Sequence, residues 1–170
     1  MTPAQLAVAI PILKPLVAAE PSLANAVLNG QDNVIAAWLN SPASPSFFVT
    51  KTELSRHDIL TGTSSDGTTF TWTGAAYITR AQGERDAFRE MFNSTGTVNP
   101  SLPSITAAFN DIFSGAGGAV NRTHITAMSK RLANRMEKAL STTPGTGTSV
   151  SPATLTVVGE ISVGEAGLLR

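Results

Sequence analysis

The 170-residue sequence contains no cysteine and few charged residues. The lack of cysteine excludes disulfides and thiolate metal sites, and it fits synthesis in a reducing compartment. Charged residues make up 14%, against a usual quarter, and the formal net charge is zero. A neutral chain has no general attraction to nucleic acid or anionic lipid. A weakly charged surface is typical of a subunit that contacts other subunits, and equally of an ordinary soluble domain.

Long hydrophobic runs are also missing. No stretch reaches about 18 uninterrupted apolar residues, the length that a membrane-spanning helix requires, so we expect no contact with a membrane. Lys14 and Pro15 interrupt the apolar run at the N-terminus, and no basic segment precedes that run. The sequence therefore predicts no signal peptide. The length fits one domain with a tail or arm.

The clearest periodicity lies in Gly117 to Leu140, GGAVNRTHITAMSKRLANRMEKAL. Its apolar residues recur at spacings of three and four, which predicts one stripe of an α-helix; they are Ile125, Met128, Leu132, Met136 and Ala139. Gly117 and Gly118 precede the segment, while Pro144 and Gly145 follow it, and all four are helix-breaking signals. We expect a central helix of some 20 residues, about 30 Å long, against which the other helices pack.

A second stripe of the same predicted helix is basic and comprises Arg131, Arg135 and Lys138. These side chains could contact the phosphates of nucleic acid. Such contacts from Lys and Arg provide most of a protein's sequence-independent affinity for nucleic acid. They could instead contact an acidic patch on a neighbouring protein. The third interpretation is a solvated helix face. The pattern alone does not choose among the three.

Helical patterns fill most of the remaining sequence. Residues 1–40 predict N-terminal helices, the first of them over 3–19 with Thr2 as N-cap and with Pro11 and Pro15 kinking or splitting it. A second helix opens at Pro21, with the inward residues Leu23, Val27 and Leu28. Residues 79–140 predict a core three-helix bundle, with Thr79 and Ser101 as N-caps. The fold class is mainly α: a small helical bundle with short β segments and an extended C-terminal arm. Residues 1–140 form its helical domain.

Composition changes at Ser141, where STTPGTGTSVSPAT is typical of a flexible linker. A strand at 155–158 and a short helix at 163–169 follow, the helix opened by a capping box of Ser162 and Glu165. Residues 141–170 therefore form a linker and a C-terminal β/helix arm. The arm either docks on another molecule or folds back onto its own domain. Earlier in the chain, residues 70–78 predict a strand or irregular extended chain.

No group of residues indicates catalysis. His57 and Asp58 are adjacent, so on a helix they point about 100° apart. His124 has no third metal ligand in view, and Gly115 to Gly118 lacks the Gly-Lys-Ser/Thr of a phosphate-binding loop. We therefore expect no enzyme, with no catalytic residue, no cofactor and no metal.

Three segments resemble a group of small virion proteins of tailed bacteriophages, the head–tail connector or adaptor proteins of the neck. The segments are TWTGAAYITRAQGERDAFREMF, SITAAFNDIFSGAGGAVNRTHITAMSKRLANRMEKAL and GTGTSVSPATLTVVGEIS. The resemblance spans about residues 71–162 and lies in the order of features: a three-helix run, a glycine corner, a basic helix, a Gly/Thr linker and a β arm. The chain is longer than the compact adaptors, with a helical N-terminal extension and an aromatic insert.

The resemblance implies a structural protein of the virion neck, made in the cytoplasm of the host bacterium. Copies of the chain would form a ring of twelve between the portal protein and a tail or stopper protein, around the channel for genome DNA. The basic stripe would face that channel or a portal patch. The portal-docking residues of the arm would be Leu155, Val157, Val158, Leu168 and Leu169. The alternatives are a nucleic-acid-binding packaging or regulatory protein, or another head-completion protein such as a stopper.

Overall fold

A computed structural model describes residues 1–93, 95–142 and 145–170. The chain is 53% helical, which confirms the predicted mainly-α class. The α-helices in chain order are α1 (Pro3–Ala19), α2 (Ala24–Leu28), α3 (Asp32–Asn40), α4 (Arg56–Thr61), α5 (Gln82–Glu90), α6 (Pro103–Ile112), α7 (Gly115–Met128), α8 (Arg135–Leu140) and α9 (Val163–Ala166). The short strands are β1 (Phe48–Thr50), β2 (Leu54–Ser55), β3 (Thr97–Val98), β4 (Lys130–Leu132), β5 (Ser141–Thr142) and β6 (Thr154–Leu155).

The chain divides into two compact units. Unit 1 combines residues 1–49 with residues 132–170, and unit 2 is the continuous segment 50–131. The predicted division at residue 140 differs, because the C-terminal segment and the N-terminal helices share one core. The chain passes from one unit to the other within β1 and again within β4.

Helix α1 begins and continues as its sequence dictates. The Thr2 hydroxyl accepts the backbone N–H of Gln5, and the Gln5 side chain accepts the backbone N–H of Thr2, which completes a capping box. Pro11 and Pro15 were predicted to kink or split the helix; the split is wrong, because α1 is one element, and the kink stays a prediction. Both proline rings lie on the exposed side. There, water can bind the carbonyls that lose their helical partners.

The core of unit 1 joins both of its chain segments. It is built mainly of aliphatic side chains from α1, α3, α8 and the C-terminal segment, among them Leu13, Val17, Ile35, Leu39, Met136, Leu140, Val157, Ile161 and Leu169. Asn40 ties the two segments further: its amide oxygen accepts the N–H of Ile161 and its amide nitrogen donates to the carbonyl of Ile161, each at 2.9 Å. Both segments are therefore needed to close this core.

The core of unit 2 is aromatic. Phe70 makes edge-on contacts with Tyr77 and Phe113, with ring centroids 5.5 and 6.0 Å apart. Phe88 lies edge-on to Phe92 and Phe113 at 5.5 and 5.4 Å. Such edge-to-face pairs add to the stabilisation from burial alone. Strands β2 and β3 pair antiparallel at the margin of this unit, with Leu54 opposite Val98.

The predicted central helix from Gly117 to Leu140 is wrong, because the structure divides that segment into α7, β4 and α8. At the end of α7 the Ser129 hydroxyl donates to the carbonyl of Ile125 at 2.7 Å. A new helix then starts at a capping box, in which the Asn134 side chain accepts the N–H of Glu137 at 2.7 Å. Leu132, assigned to the apolar stripe, is 54% exposed. The predicted stop at Pro144 lies outside the described residues.

Other local predictions divide into confirmed and wrong. Ser162 with Glu165 forms the predicted capping box, and the Ser55 side chain caps α4 by accepting the backbone N–H of Asp58. The N-caps of α5 and α6 are Ala81 and Leu102 instead of Thr79 and Ser101, so those two predictions are two residues and one residue off, respectively. Leu28, predicted to point inward, is 82% exposed. Residues 70–78 contain a 3-10 turn and no strand.

The C-terminal segment folds back onto unit 1, the second of the two predicted alternatives, and is not an extended arm. β5 and β6 pair antiparallel, with Ser141 opposite Leu155. Of the predicted docking residues, Val157 and Leu169 are buried in the core that α1 and α3 help to form, and Leu155 is buried in a smaller cluster with Val49, Ala133 and Ala153. Burial removes these apolar side chains from water, which stabilises the folded segment. Val158 and Leu168 remain exposed.

Candidate functional site

A pocket of about 430 Å³ opens on unit 1, within the size range of small-ligand sites. Four separate chain segments contribute to it: the end of α1, helix α3, the loop before β1 and helix α8. Its walls combine apolar surface with groups of both charges, and they are formed by Leu16, Glu20, Trp38, Ser44, Arg135, Lys138 and Ala139. We call this site the Trp38 pocket.

The Arg135 guanidinium lies over the Trp38 indole, with its central carbon 4.4 Å from the ring centroid. Arg135 is the first residue of α8, and its backbone N–H donates to the carbonyl of Ser41 at 3.0 Å, which fixes the start of that helix. Stacking on an aromatic face holds a guanidinium in place and leaves its N–H edge available. No hydrogen-bond acceptor for the Arg135 guanidinium occurs among residues 1–93, 95–142 and 145–170.

Lys138 follows Arg135 by three residues and therefore lies on the same side of α8. Its ammonium is 3.4 Å from the carbonyl oxygens of both Ser44 and Pro45 and 5.8 Å from the Phe47 ring centroid. The carbonyl contacts are at the long end of hydrogen-bonding distances, so they hold the ammonium only weakly. The pocket thus places two cations side by side on one helical turn.

Glu20 supplies the negative charge of the pocket. Its carboxylate accepts the Ser22 hydroxyl at 2.7 Å and the Ser22 backbone N–H at 3.1 Å. These two hydrogen bonds, aided by the charge of Arg135, lower the pKa of Glu20 below its ordinary value. Glu20 therefore remains ionised near neutral pH, and the pocket carries two positive charges and one negative charge.

The pocket is suited to binding an oxyanion attached to an apolar group. A guanidinium edge and an ammonium together form charge-assisted hydrogen bonds with a carboxylate or phosphate. Leu16, Ala139 and the uncovered part of the Trp38 ring provide the apolar wall. The sequence patterns did not predict that Trp38 and Glu20 belong to a site. Trp38 fits the core pattern of α3, and no local signal relates either residue to α8.

The structure separates the predicted basic stripe. Arg135 and Lys138 meet in the Trp38 pocket, whereas Arg131 lies in β4 and belongs to unit 2. The stripe as predicted is therefore wrong, because it required one continuous helix. The five predicted docking residues of the C-terminal segment do not line the Trp38 pocket. That any of them docks on a portal stays a prediction.

The two histidines form no joint site with acidic residues. His124 is fully buried in unit 2, with Nε2 2.8 Å from the carbonyl oxygen of Ile59 and Nδ1 3.1 Å from that of Thr68. It thus connects α7 to α4 and to the loop that follows. Across the described part of the chain, no group of three or more His, Asp or Glu side chains could hold a metal ion.

A second surface feature is the outer face of α1, defined as the exposed residues Ala4, Ala7, Val8, Pro11, Ile12, Pro15, Ala18 and Ala19. At about 100° per residue, these positions cover about two fifths of the helix circumference, opposite the buried residues Ala9, Leu13 and Val17. Val8 and Ile12 are 56% and 42% exposed. Lys14 is the one charged residue of the helix and lies at the edge of this face.

The apolar character of α1 raises the question of a membrane. No single helix in the part of the chain described here is both long and apolar enough to cross one. Pro3–Ala19 and Pro21–Leu28 meet that length and composition only when taken together, and they are bent by 87°.

Comparisons with protein-family models, with curated proteins and with solved structures find no match.

Proposed function

We propose that the chain is a structural subunit of a bacteriophage neck, a head–tail adaptor that forms a ring between portal and tail around the DNA channel. The observation that supports this proposal best is the outer face of α1. It leaves apolar side chains in water along a helix of 17 residues, or about 25 Å. Contiguous exposed apolar surface is typical of sites that contact other proteins.

A helix that is apolar all around is usually buried on all sides. In this chain, one side of α1 packs against the core of unit 1, and the opposite side is exposed. The exposed side is therefore available to another subunit. A face that packs against a different surface of the next copy forms a head-to-tail contact. When the rotation between copies closes, such contacts produce a ring, the assembly that an adaptor requires.

The alternative of a nucleic-acid-binding packaging or regulatory protein depended on three cations along one helix. Because Arg131 belongs to unit 2 and Arg135 packs on Trp38, that continuous row does not exist. Duplex DNA binding that weakens steeply with salt and is lost with Arg131→Ala and Arg135→Ala together would support this alternative. Another head-completion role, such as a stopper, shares the same ring contacts and is distinguished by its position in the neck.

The proposal is tested by assembly of the full chain with the portal protein of the same phage. We expect rings seated on the portal by negative-stain electron microscopy, and a matching mass by analytical ultracentrifugation. Val8→Glu with Ile12→Glu should abolish the rings, because each substitution places an unpaired charge in a desolvated contact. Both side chains are exposed, so the variant should keep its circular dichroism spectrum.

The matched control is Val150→Glu, which adds the same charge at a side chain that is 91% exposed and lies outside α1. This variant should assemble like the unmodified chain. The proposal fails if the full chain neither self-associates nor binds the portal. The role of the outer face of α1 fails if the double variant forms normal rings.

A further inference from the structure

We propose that the Trp38 pocket binds the carboxylate of an acidic side chain presented by a peptide segment of a partner protein. The inference deepens the proposed function and rests on it for one point, that the partner is a protein. The Trp38 pocket is separate from the outer face of α1, and its recognition chemistry is that of Arg135, Lys138 and Glu20.

The orientation of Arg135 is the first argument. One face of its guanidinium is occupied by the Trp38 ring at 4.4 Å, and the N–H edge remains to donate hydrogen bonds to a ligand. That edge matches a carboxylate with two parallel hydrogen bonds. In the described ranges no acceptor of this chain meets it. An arginine fixed in this way is already ordered, so a ligand loses less side-chain entropy on binding.

Lys138 is the second argument. Its ammonium carries three donors, and its two carbonyl contacts are both long at 3.4 Å. A carboxylate held by Arg135 would lie near this ammonium, because the two residues are separated by one turn of α8. The two positive charges lie on the same side of α8, so both can contact one small oxyanion.

Glu20 indicates a peptide as the partner in preference to DNA. Its carboxylate lines the same pocket, where it would repel a second phosphate of a nucleic-acid backbone. A peptide carries backbone N–H groups beside its acidic side chain, and Glu20 can accept one of them. Binding of DNA relies on rows of exposed cations along the backbone, whereas this site is a concavity of about 430 Å³. That volume suits an acidic side chain with an apolar neighbour.

The experiment is a titration of the ¹⁵N-labelled full chain followed by NMR. The probes are acetyl-Leu-Asp-Leu-amide, acetyl-Leu-Asn-Leu-amide, inorganic phosphate and a short DNA duplex. Trp72→Phe leaves Trp38 as the one tryptophan, so its indole N–H signal is assigned directly. We expect the Asp peptide to shift this signal saturably below about 10 mM, where a Kd of about 1 mM is nearly saturated. The Asn peptide should leave it in place.

Substitutions distinguish the contributions of Arg135 and Lys138 to binding. Arg135→Gln should weaken binding of the Asp peptide about tenfold or more, and Arg135→Lys should restore only part of it, since an ammonium lacks the paired edge. Lys138→Gln should weaken binding severalfold. Arg89→Gln, an exposed arginine on α5 in unit 2, is the control and should have no effect. Signals from residues distant from the pocket report that each variant remains folded.

Equal shifts with the Asp and Asn peptides would overturn the inference, as would the absence of any shift at Trp38. A larger response to phosphate or to the duplex would overturn the peptide assignment. The titration needs neither the portal nor a ring. A failed titration with normal rings therefore removes the pocket proposal alone, and failed assembly with a normal titration removes the adaptor proposal alone.

Discussion

Asn121 organises unit 2 at the scale of a single side chain. It is fully buried on α7, and its amide oxygen accepts the N–H of Thr71 at 2.7 Å. Its amide nitrogen donates to the carbonyls of Thr71 and Ala76, both at 2.9 Å. The segment around Thr71 and Ala76 makes no strand, so its backbone groups need other partners. The Asn121 side-chain amide therefore supplies hydrogen bonds that a neighbouring strand would otherwise make.

Asn121→Ala should lower the free energy of unfolding by about 3 kcal/mol, because three backbone groups lose their partner at once, and the hydrogen bond to Ala76 among them is buried. Urea denaturation followed by circular dichroism measures the change. Asn110→Ala, an exposed asparagine on the neighbouring α6, should change stability by less than about 0.5 kcal/mol. Equal effects from the two substitutions would show that Asn121 has no special role.

At the scale of elements, α9 is too short to be stable alone. It has four residues and begins at the capping box of Ser162 and Glu165. The Glu165 carboxylate also pairs with the N-terminal amine of Met1 at 2.6 Å. This pairing first, and the hydrogen bond from the Ser162 N–H second, lower the pKa of Glu165 to about 2. One acidic side chain thus holds the start of α1 and the start of α9 together.

The lowered pKa predicts a pH dependence. Because the folded state prefers the carboxylate, its stabilisation is complete above the ordinary pKa of 4.5 and is lost as the pH falls through about 2. Glu165→Gln should cost about 2 kcal/mol at pH 6 and flatten the decline between about pH 5 and pH 2. Urea midpoints measured at several pH values test this.

Glu160→Gln is the matched control, since Glu160 is exposed and close in sequence. It should keep the pH dependence of the unmodified chain. If Glu165→Gln and the unmodified chain lose stability in parallel as the pH falls, the pairing with the terminal amine contributes nothing.

At the scale of the whole molecule, the two units differ in how the chain builds them. Unit 2 is one continuous segment whose aromatic core lies entirely within residues 50–131. Unit 1 needs both ends of the chain to close its core. A continuous segment with a complete core meets the requirement for independent folding.

Residues 50–131 expressed alone should therefore fold. Their amide NMR signals should overlay those of the same residues in the full chain, apart from positions near the two cut ends. Residues 1–49 alone should give the narrow signal dispersion of an unfolded chain, because the partners of α1 and α3 are missing. A disordered spectrum for residues 50–131 would show that unit 2 depends on the remainder of the chain.

The two proposals assign different partners to different parts of unit 1. The Trp38 pocket, with its fixed charges, is proposed to bind an acidic group, and the apolar outer face of α1 is proposed to contact another copy of the chain. Such a division fits a neck protein, which contacts both its own copies and a neighbouring ring. The charge-poor composition is consistent with this proposal, because little of the surface would remain in water within such an assembly.

The sequence by itself determined what depends on neighbours within a few residues. Local spacing determines the helical period of α1, the N-cap at Thr2, the capping box at Ser162 and the helices α5 and α6. The mainly-α class follows from summing such signals. Local spacing predicts Arg135 and Lys138 as partner-facing residues, on a helix that the structure divides in two. That role stays a prediction.

Only the tertiary structure decided where the central helix breaks and what the basic residues contact. The spacing of Ile125, Met128, Leu132 and Met136 permits one helix, but the capping hydrogen bonds of Asn134 start a second helix and send Leu132 to the surface. Trp38 reaches Arg135 across almost a hundred residues of sequence, and Ile161 reaches Asn40 across more than a hundred. Contacts of that separation depend on how cores close, a cooperative property that local periodicity does not contain.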